Sequence, residues 1–245
     1  MTYPPDWIVP DWPAPTNVKA VITTRSGGVS RGPFASFNLD LRVGDDPEAV
    51  ATNRGRLCGV LPQAPKWLKQ VHGATVVPAD GIESPPQADA SIARQAGTVC
   101  AVMIADCLPV LFTDRAGMLV AAAHAGWRGL SRGIIENTVR GIGRAPADLL
   151  AYLGPAIGPQ AFEVGADVRT AFVEQDARAE FAFAPCRPGQ WLADIYVLAR
   201  HALARAGVTQ VYGGGLCTVS DSRRFFSYRR DGTTGRMGAL IWCDG

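Results

Sequence analysis

The chain has 245 residues, 47% of them hydrophobic and 19% charged, with a net charge of +2. That is the composition of a globular protein, and the near-neutral balance excludes nucleic-acid binding as the main task. No apolar run approaches the ~20 residues needed to cross a bilayer, so no membrane role is expected.

The first stretch, MTYPPDWIVPDWPAP, lacks a basic segment followed by an apolar one. Cys58, Cys100, Cys107, Cys186, Cys217 and Cys243 form no C-x-x-C pair. Both features point to a cytoplasmic protein with free thiols. The only histidines are His72, His124 and His201. Three imidazoles cannot supply both a blue-copper site and an oxygen-reducing copper cluster.

Residues 1–17 read as an irregular N-terminal arm, rich in Pro, that packs Trp7 and Trp12 across a surface. Val18–Thr24 reads as a strand. The following loop, Arg25 to Pro33, carries three glycines with Ser and Arg. It could cradle a phosphate or be ordinary turn chemistry, and it is no Walker motif. Asp45, Asp46, Pro47 and Glu48 start a helix that should reach Cys58 and stop at Gly59. Arg54 lies on it, as a phosphate contact or a solvated charge.

Lys66–Val71 reads as a strand ending at His72 and Gly73. Residues 78–88 form a polar loop, and Ala88, Asp89 and Ala90 open another extended segment. Thr98–Ile104 reads as a buried strand that delivers Ala105, Asp106 and Cys107. The apolar runs 108–112 and 118–123 flank the turn formers Asp114 to Gly117, the pattern of a β-hairpin. Antiparallel pairing brings the far ends together, so Cys107 and His124 should be neighbours.

Beyond His124 comes Ala-Gly-Trp-Arg-Gly, then a helix starting near Ser131 with Ile134, Ile135, Thr138, Val139 and Ile142 on its apolar face. Its free N–H groups beside Arg128 would favour an anion. Leu149–Leu153 is a strand leading into a Gly/Pro turn. Residues 166–176 and 191–206 read as helices, the second capped by Gly207, and Val208–Tyr212 as a strand. His201 falls in a helix pattern and Cys217 follows three glycines; both read as structural. The stretch from Ser222 to Gly232 interleaves Arg with aromatics. It could bind phosphates and stack bases, or be a strand whose Arg residues pair internally. Arg236–Trp242 is the last strand.

His72, Cys107 and His124 form the natural metal-ligand triple. Thiolate and imidazole suit zinc, and three protein ligands leave a fourth position open, the catalytic pattern. Asp106 could orient a ligand or carry a proton. The competing reading is a buried free Cys and core His on an ordinary hairpin.

The motifs TTRSGGVSRGPFASFNL, VGDDPEAVATNR, QVHGA, ADA, ADCLPVL, AAHAGWRG, GPAIGPQAFEVG and FFSYRRDGTTGRMGALIW span residues 23 to 242. On them the chain resembles the YfiH-like laccase-domain family, also called peptidoglycan editing factors or multicopper polyphenol oxidoreductases. The resemblance implies one zinc per chain on His72, Cys107 and His124, with a single copper ion but no multicopper cluster as the alternative. It also implies one α/β (α+β) domain, residues 1–245, with β-sheets sandwiched between helices, a fold that looks like the catalytic domain of the cytotoxic necrotizing factors.

The activity expected is that of a purine nucleoside phosphorylase with adenosine deaminase and methylthioadenosine phosphorylase side activities. Asp106 and Arg128 are the expected catalytic residues, and Asn38, Arg54, Gln70 and Arg229 the expected substrate or phosphate contacts. The partners expected are a purine nucleoside and phosphate, and the chain is expected to be a monomer. The alternative is a hydrolase that edits cell-wall precursors, with Cys107 as nucleophile and His124 as base. A non-catalytic zinc-dependent partner protein is a third class. The older name, polyphenol oxidase, is disfavoured by the histidine count.

Overall fold

A computed structural model of the protein describes residues 3–245. In chain order the elements are β1 (Val18–Ile22), α1 (Pro47–Cys58), β2 (Val76–Pro78), β3 (Ala90–Ala93), β4 (Cys100–Ile104), β5 (Leu108–Asp114), β6 (Val120–Ala125), α2 (Trp127–Ser131), α3 (Ile134–Ile142), β7 (Leu149–Leu153), β8 (Glu163–Gly165), α4 (Ala166–Val173), β9 (Phe183–Arg187), β10 (Gln190–Ala193), α5 (Ile195–Arg205), β11 (Gln210–Gly213), α6 (Tyr228–Asp231) and β12 (Met237–Cys243).

The strands form three sheets: a mixed six-stranded one in the order β11-β7-β5-β6-β3-β2, a three-stranded one, β1-β12-β4, and a ribbon, β8-β10-β9. The first two stack face to face. One face of the large sheet (Leu108, Val110, Phe112, Ala121, Ala123) meets the apolar stripes of α3 and α5 (Ile135, Val139, Leu198, Leu203). Its other face (Leu111, Val120, Ala122) meets Ala20, Ile22, Val102, Ile104, Ala239 and Ile241 of the small sheet. The outer face of the small sheet (Val21, Met103, Leu240, Trp242) is covered by Trp7, Phe37, Leu39 and Leu57 of α1. Sheets sandwiched between helices are thus the observed architecture. Strands covered on both faces need unbroken apolar sequence, as β4 and β12 have and β5 has from Leu108 to Phe112. No helix of the described residues is long and apolar enough to cross a membrane.

The described part of the arm packs as expected. Trp7 lies 5.3 Å from Phe37 and Trp12 5.8 Å from Tyr152, centroid to centroid. Asp46 caps α1 by accepting from the Glu48 amide (3.0 Å). All five apolar positions expected on α3 are buried.

Four segments depart from expectation. Residues 66–71 are extended but make only single bridges, Lys66 to Cys100 and Lys69 to Gln87. They run along the free edge of β4, where the Gln70 side-chain amide replaces a backbone partner: it donates to Met103 O (2.8 Å) and accepts from Met103 N (2.7 Å). The helix after His124 begins at Trp127 rather than Ser131 and breaks at Gly133, whose left-handed φ of 85° separates α2 from α3. Residues 191–193 pair with β8 and β9 instead of entering a helix. The cap is Asp194, which accepts from the amides of Tyr196 and Val197. Residues 222–232 form a turn and α6, not a strand. Phe225 and Phe226 are fully buried, so neither can stack on a base. Arg224 pairs with Asp221 (2.6 Å) and Arg230 with Asp231 (2.7 Å).

The loop from Arg25 to Pro33 is turn chemistry. Its amides are spent internally, Gly28 N on Ser36 Oγ (3.1 Å) and Val29 N on Asn53 Oδ1 (2.9 Å). The sulfur of Cys217 accepts from the Gly158 amide (3.2 Å) and ties the Gly/Pro turn after β7 to the chain beyond β11.

Candidate metal centre

Strand register assembles the centre. β5 and β6 pair with Leu108 opposite Ala125 and Pro109 opposite His124, so Cys107, one residue before β5, meets the end of β6. β3 pairs with the other edge of β6, Ala90 opposite Ala123. That sets Asp89, one residue before β3, beside His124, whose amide donates to Asp89 O (2.7 Å). The turn at residues 71–73 folds over the same end of the sheet. His72 Nε2 comes within 3.8 Å of Cys107 Sγ, and the two histidine rings meet edge to face at 4.8 Å. One donor atom each from His72, Cys107 and His124 lie within 4.8 Å of one another. His124 is buried, Cys107 half-buried and His72 exposed, so the centre opens to solvent on the His72 side.

Asp89 is the residue that sequence reasoning missed. It is completely buried. Its Oδ1 accepts from His124 Nδ1 (2.9 Å) and from the His72 amide (3.0 Å). Its Oδ2 accepts from the amides of Gly73 (2.7 Å) and Val71 (3.2 Å). Burial alone would raise its pKa, but the hydrogen bonds from His124 and these amides hold the carboxyl below its usual range. The available signal was an acid directly before the short buried strand β3.

The electrostatics favour a thiolate. Burial raises the Cys107 pKa, yet His124 and then His72 outweigh it and bring it to about 6. Burial likewise opposes charge on His124, but Cys107 and Asp89 push it up to about 9. Two non-glycine residues, His72 (φ 58°) and Asp106 (φ 93°), take left-handed backbone at the centre, a strain that clusters at functional sites. Gly126 is required by space: a Cβ there would sit 2.8 Å from Cys107 Sγ and 3.2 Å from the His72 ring.

The donor set fits a metal. Donors bound to one zinc at 2.0–2.3 Å stand roughly 3.3–3.7 Å apart, close to the 3.8 Å between His72 and Cys107. Asp89 occupies Nδ1 of His124 and leaves Nε2 free, the usual arrangement of a metal-binding histidine. The chemistry suits zinc or a single copper ion. With three histidines in all, and His201 away on α5, a multicopper cluster lacks ligands.

The three residues line a cavity of about 600 Å³, together with Arg42, Asp106, Trp127, Arg128, Phe162, Tyr228, Arg229 and Arg236 among others. Arg128 stacks on Trp127 (4.5 Å), and among the described residues its guanidinium has no hydrogen-bond or ion-pair partner. Arg229 also faces the cavity, but donates through Nη1 to Glu163 O (2.9 Å) and stacks on Phe162. Asp106 lines it with both carboxylate oxygens engaged, by Thr218 Oγ1 (2.5 Å) and the Arg229 amide (2.7 Å).

Three expected substrate contacts are otherwise employed. Gln70 lines the cavity, but both ends of its amide are spent on Met103. Asn38 is fully buried outside the cavity, donating to Asp40 O and Asp45 and accepting from the amides of Asp40 and Arg236. Arg54 donates to Leu39 O (2.9 Å), stacks on Trp67 (4.9 Å) and does not reach the cavity either. Sequence cannot tell a polar side chain that binds a ligand from one that binds its own backbone. Arg236, missed at the start of β12, lines the cavity half-buried beside Tyr228.

A family model described as multi-copper polyphenol oxidoreductase laccase matches residues 19–244. The chain is 56% identical over 237 residues to a Pseudomonas aeruginosa protein named purine nucleoside phosphorylase, covering 96% of this chain and 98% of that one. It is 55% identical over 238 residues to the Escherichia coli protein named purine nucleoside phosphorylase YfiH, with the same coverage. Among solved structures, it is similar to a Neisseria meningitidis protein (TM-score 0.95, 53% identity, 98% of this chain and 100% of that one). It is also similar to YlmD from Geobacillus stearothermophilus (TM-score 0.92, 34% identity, 100% and 98%).

Proposed function

The chain belongs to the multi-copper polyphenol oxidoreductase laccase family, and from that premise we propose that it is a zinc-dependent purine nucleoside phosphorylase. The observation that carries the reading is the cavity. It sets a His–Cys–His donor group beside Arg128, whose guanidinium makes no hydrogen bond or ion pair among the described residues, and three aromatic walls, Trp127, Phe162 and Tyr228. The names of the similar Pseudomonas and Escherichia proteins support the substrate class.

In phosphorolysis a phosphate oxygen forms a bond to the ribose anomeric carbon. The glycosidic C–N bond breaks, and the purine leaves with the electron pair and takes up a proton. Arg128 binds and orients the phosphate by charge-assisted hydrogen bonds. The aromatic walls hold the base and exclude water from its faces. Asp106 anchors the Cys107 loop to Thr218 and α6, which keeps Arg229 at the rim. His72, Cys107 and His124 would hold the zinc, which supplies Lewis acidity when bound. Adenosine deamination and methylthioadenosine phosphorolysis belong to the same proposal as side activities.

Purified protein, assayed with inosine or adenosine and phosphate, should release free base and ribose 1-phosphate, and lose that activity on chelation. Zinc-loaded protein that cleaves no purine nucleoside would overturn the reading.

One observation favours a second reading. Asp89, His124 and Cys107 stand in the order orienter, base and thiol, the arrangement of a cysteine hydrolase. Such an enzyme would cleave an amide, as in cell-wall precursor editing, and would keep full activity after complete metal removal.

A further inference from the structure

We infer that Asp89 is the positioning residue of the centre, a single carboxylate that presents both histidines to the metal; the inference rests on the reading of His72, Cys107 and His124 as a metal site. A fully buried carboxylate needs compensation for its lost hydration, and Asp89 receives all of it from the two histidine segments. On one side it accepts from His124 Nδ1 at 2.9 Å, which keeps a proton on that nitrogen and turns Nε2 toward Cys107 and His72. On the other side three successive amides, those of Val71, His72 and Gly73, converge on its two oxygens. Consecutive N–H groups curled around an anion form a nest, and here the nest carries a ligand at its middle residue.

This accounts for the left-handed backbone of His72, φ 58°. The turn adopts it because three amides must point at one carboxylate. The His72 side chain leaves from that turn toward Cys107. The placement of two ligands 52 positions apart (124 − 72) therefore depends on one side chain from a third segment. Asp89 is itself fixed by its main chain, its N–H on Thr75 O (3.0 Å) and its carbonyl receiving the His124 amide (2.7 Å). Cys107 makes no hydrogen bond to Asp89, its strand register being set by β5 and β6, and should stay in place when the carboxylate is lost. Loss of Asp89 thus differs from general destabilisation: it should remove both nitrogen ligands and spare the sulfur.

The test uses the full chain and zinc alone. Metal-free wild type and Asp89→Asn are titrated with zinc against a chromophoric chelator, and the histidine rings of the zinc-saturated proteins are followed by nitrogen-15 NMR. Asp89→Asn keeps the shape but cannot accept at every position. It should bind zinc roughly 10- to 100-fold more weakly, and the protected Nδ1–H signal of His124 should be lost. If this variant does not fold, Asp89→Glu, which keeps the charge on a longer arm, is measured the same way and should also bind more weakly. A folded variant with unchanged zinc affinity and an intact His124 signal overturns the inference while leaving the metal reading standing. A wild type that binds no zinc overturns both.

Discussion

Gly126 lies against Cys107 so closely that a Cβ would stand 2.8 Å from the sulfur. The same atom would be 3.2 Å from the His72 ring, so one methyl group would press on two ligands. Its backbone needs no glycine, since φ is −61°; the constraint is space alone. Gly126→Ala should therefore fold with little loss of stability, yet bind zinc at least tenfold more weakly by chelator competition. Unchanged zinc affinity with a normal melting temperature would show that the ligands have slack.

The second prediction concerns pH. Cys107 has its pKa depressed to about 6, with the cost of burial outweighed by His124 and His72. The thiolate is therefore kept down to that pH and lost as pH falls through it. His124 is shifted the other way, to about 9, so its imidazolium persists up to that pH. Between the two, the metal-free centre holds a thiolate–imidazolium pair. Alkylation of Cys107 in metal-free protein should thus be half-maximal near pH 6, where a simple thiol is almost unreactive. Zinc should suppress it. A midpoint at pH 8 or above, read by mass spectrometry of the modified peptide, would contradict the pair.

For the anion site, Arg128→Ala removes a charge that makes no hydrogen bond or ion pair among the described residues and stacks only on Trp127. A charge-assisted hydrogen bond contributes about 1.5–3 kcal/mol, or roughly ten- to a hundred-fold in binding. The KM for phosphate should rise by about that factor at unchanged zinc content. Deamination, which consumes water instead of phosphate, should suffer less. Equal loss of both activities at constant phosphate KM would make this arginine a structural residue.

Asn38→Ala tests the opposite case. Its amide joins Asp40, Asp45 and the start of β12 through the Arg236 amide. Leaving these groups unpaired should cost about 1–3 kcal/mol in denaturant unfolding. The phosphate KM of the folded fraction should stay within a factor of about two. A large change in KM at normal stability would return Asn38 to the substrate.

The legible parts of the chain were those with local signals. The turn at Asp114 to Gly117 between two apolar runs implied the hairpin and the meeting of Cys107 with His124. Asp46 with Pro47 marked the start of α1. Misreadings arose where partners are distant. Trp191 and Leu192 fit helical spacing as well as a strand, and only the Asp194 cap three residues on separates the two. Strand β9 is exposed at four of its five positions and carries Pro185, so it lacks the alternating buried apolar pattern that reveals strands. Asp89 was overlooked because its donors come from residues 71–73 and 124. Nothing local to Gln70 and Asn38 shows that their hydrogen-bond partners are Met103 for the one and Asp40, Asp45 and Arg236 for the other.

The burial of β5 and β6 on both faces has a consequence for how the chain finds its pairing. In a sheet with one wet face, a slip of one residue exposes apolar side chains and is rejected. Here a slipped strand would merely exchange one dry layer for another, and hydrophobicity would not object. The rejection must come from size and from the ends. β6 supplies Ala121, Ala122 and Ala123 opposite Phe112, Leu111 and Val110, so bulk on one strand meets small residues on the other. At the turn, Asp114 accepts from the amides of Gly117 and Met118 and fixes the count. An Ala122→Leu exchange would therefore overpack the seam against Leu111 in the correct frame, because the turn at Asp114 still fixes the count, and the strain would fall on the layers behind His124.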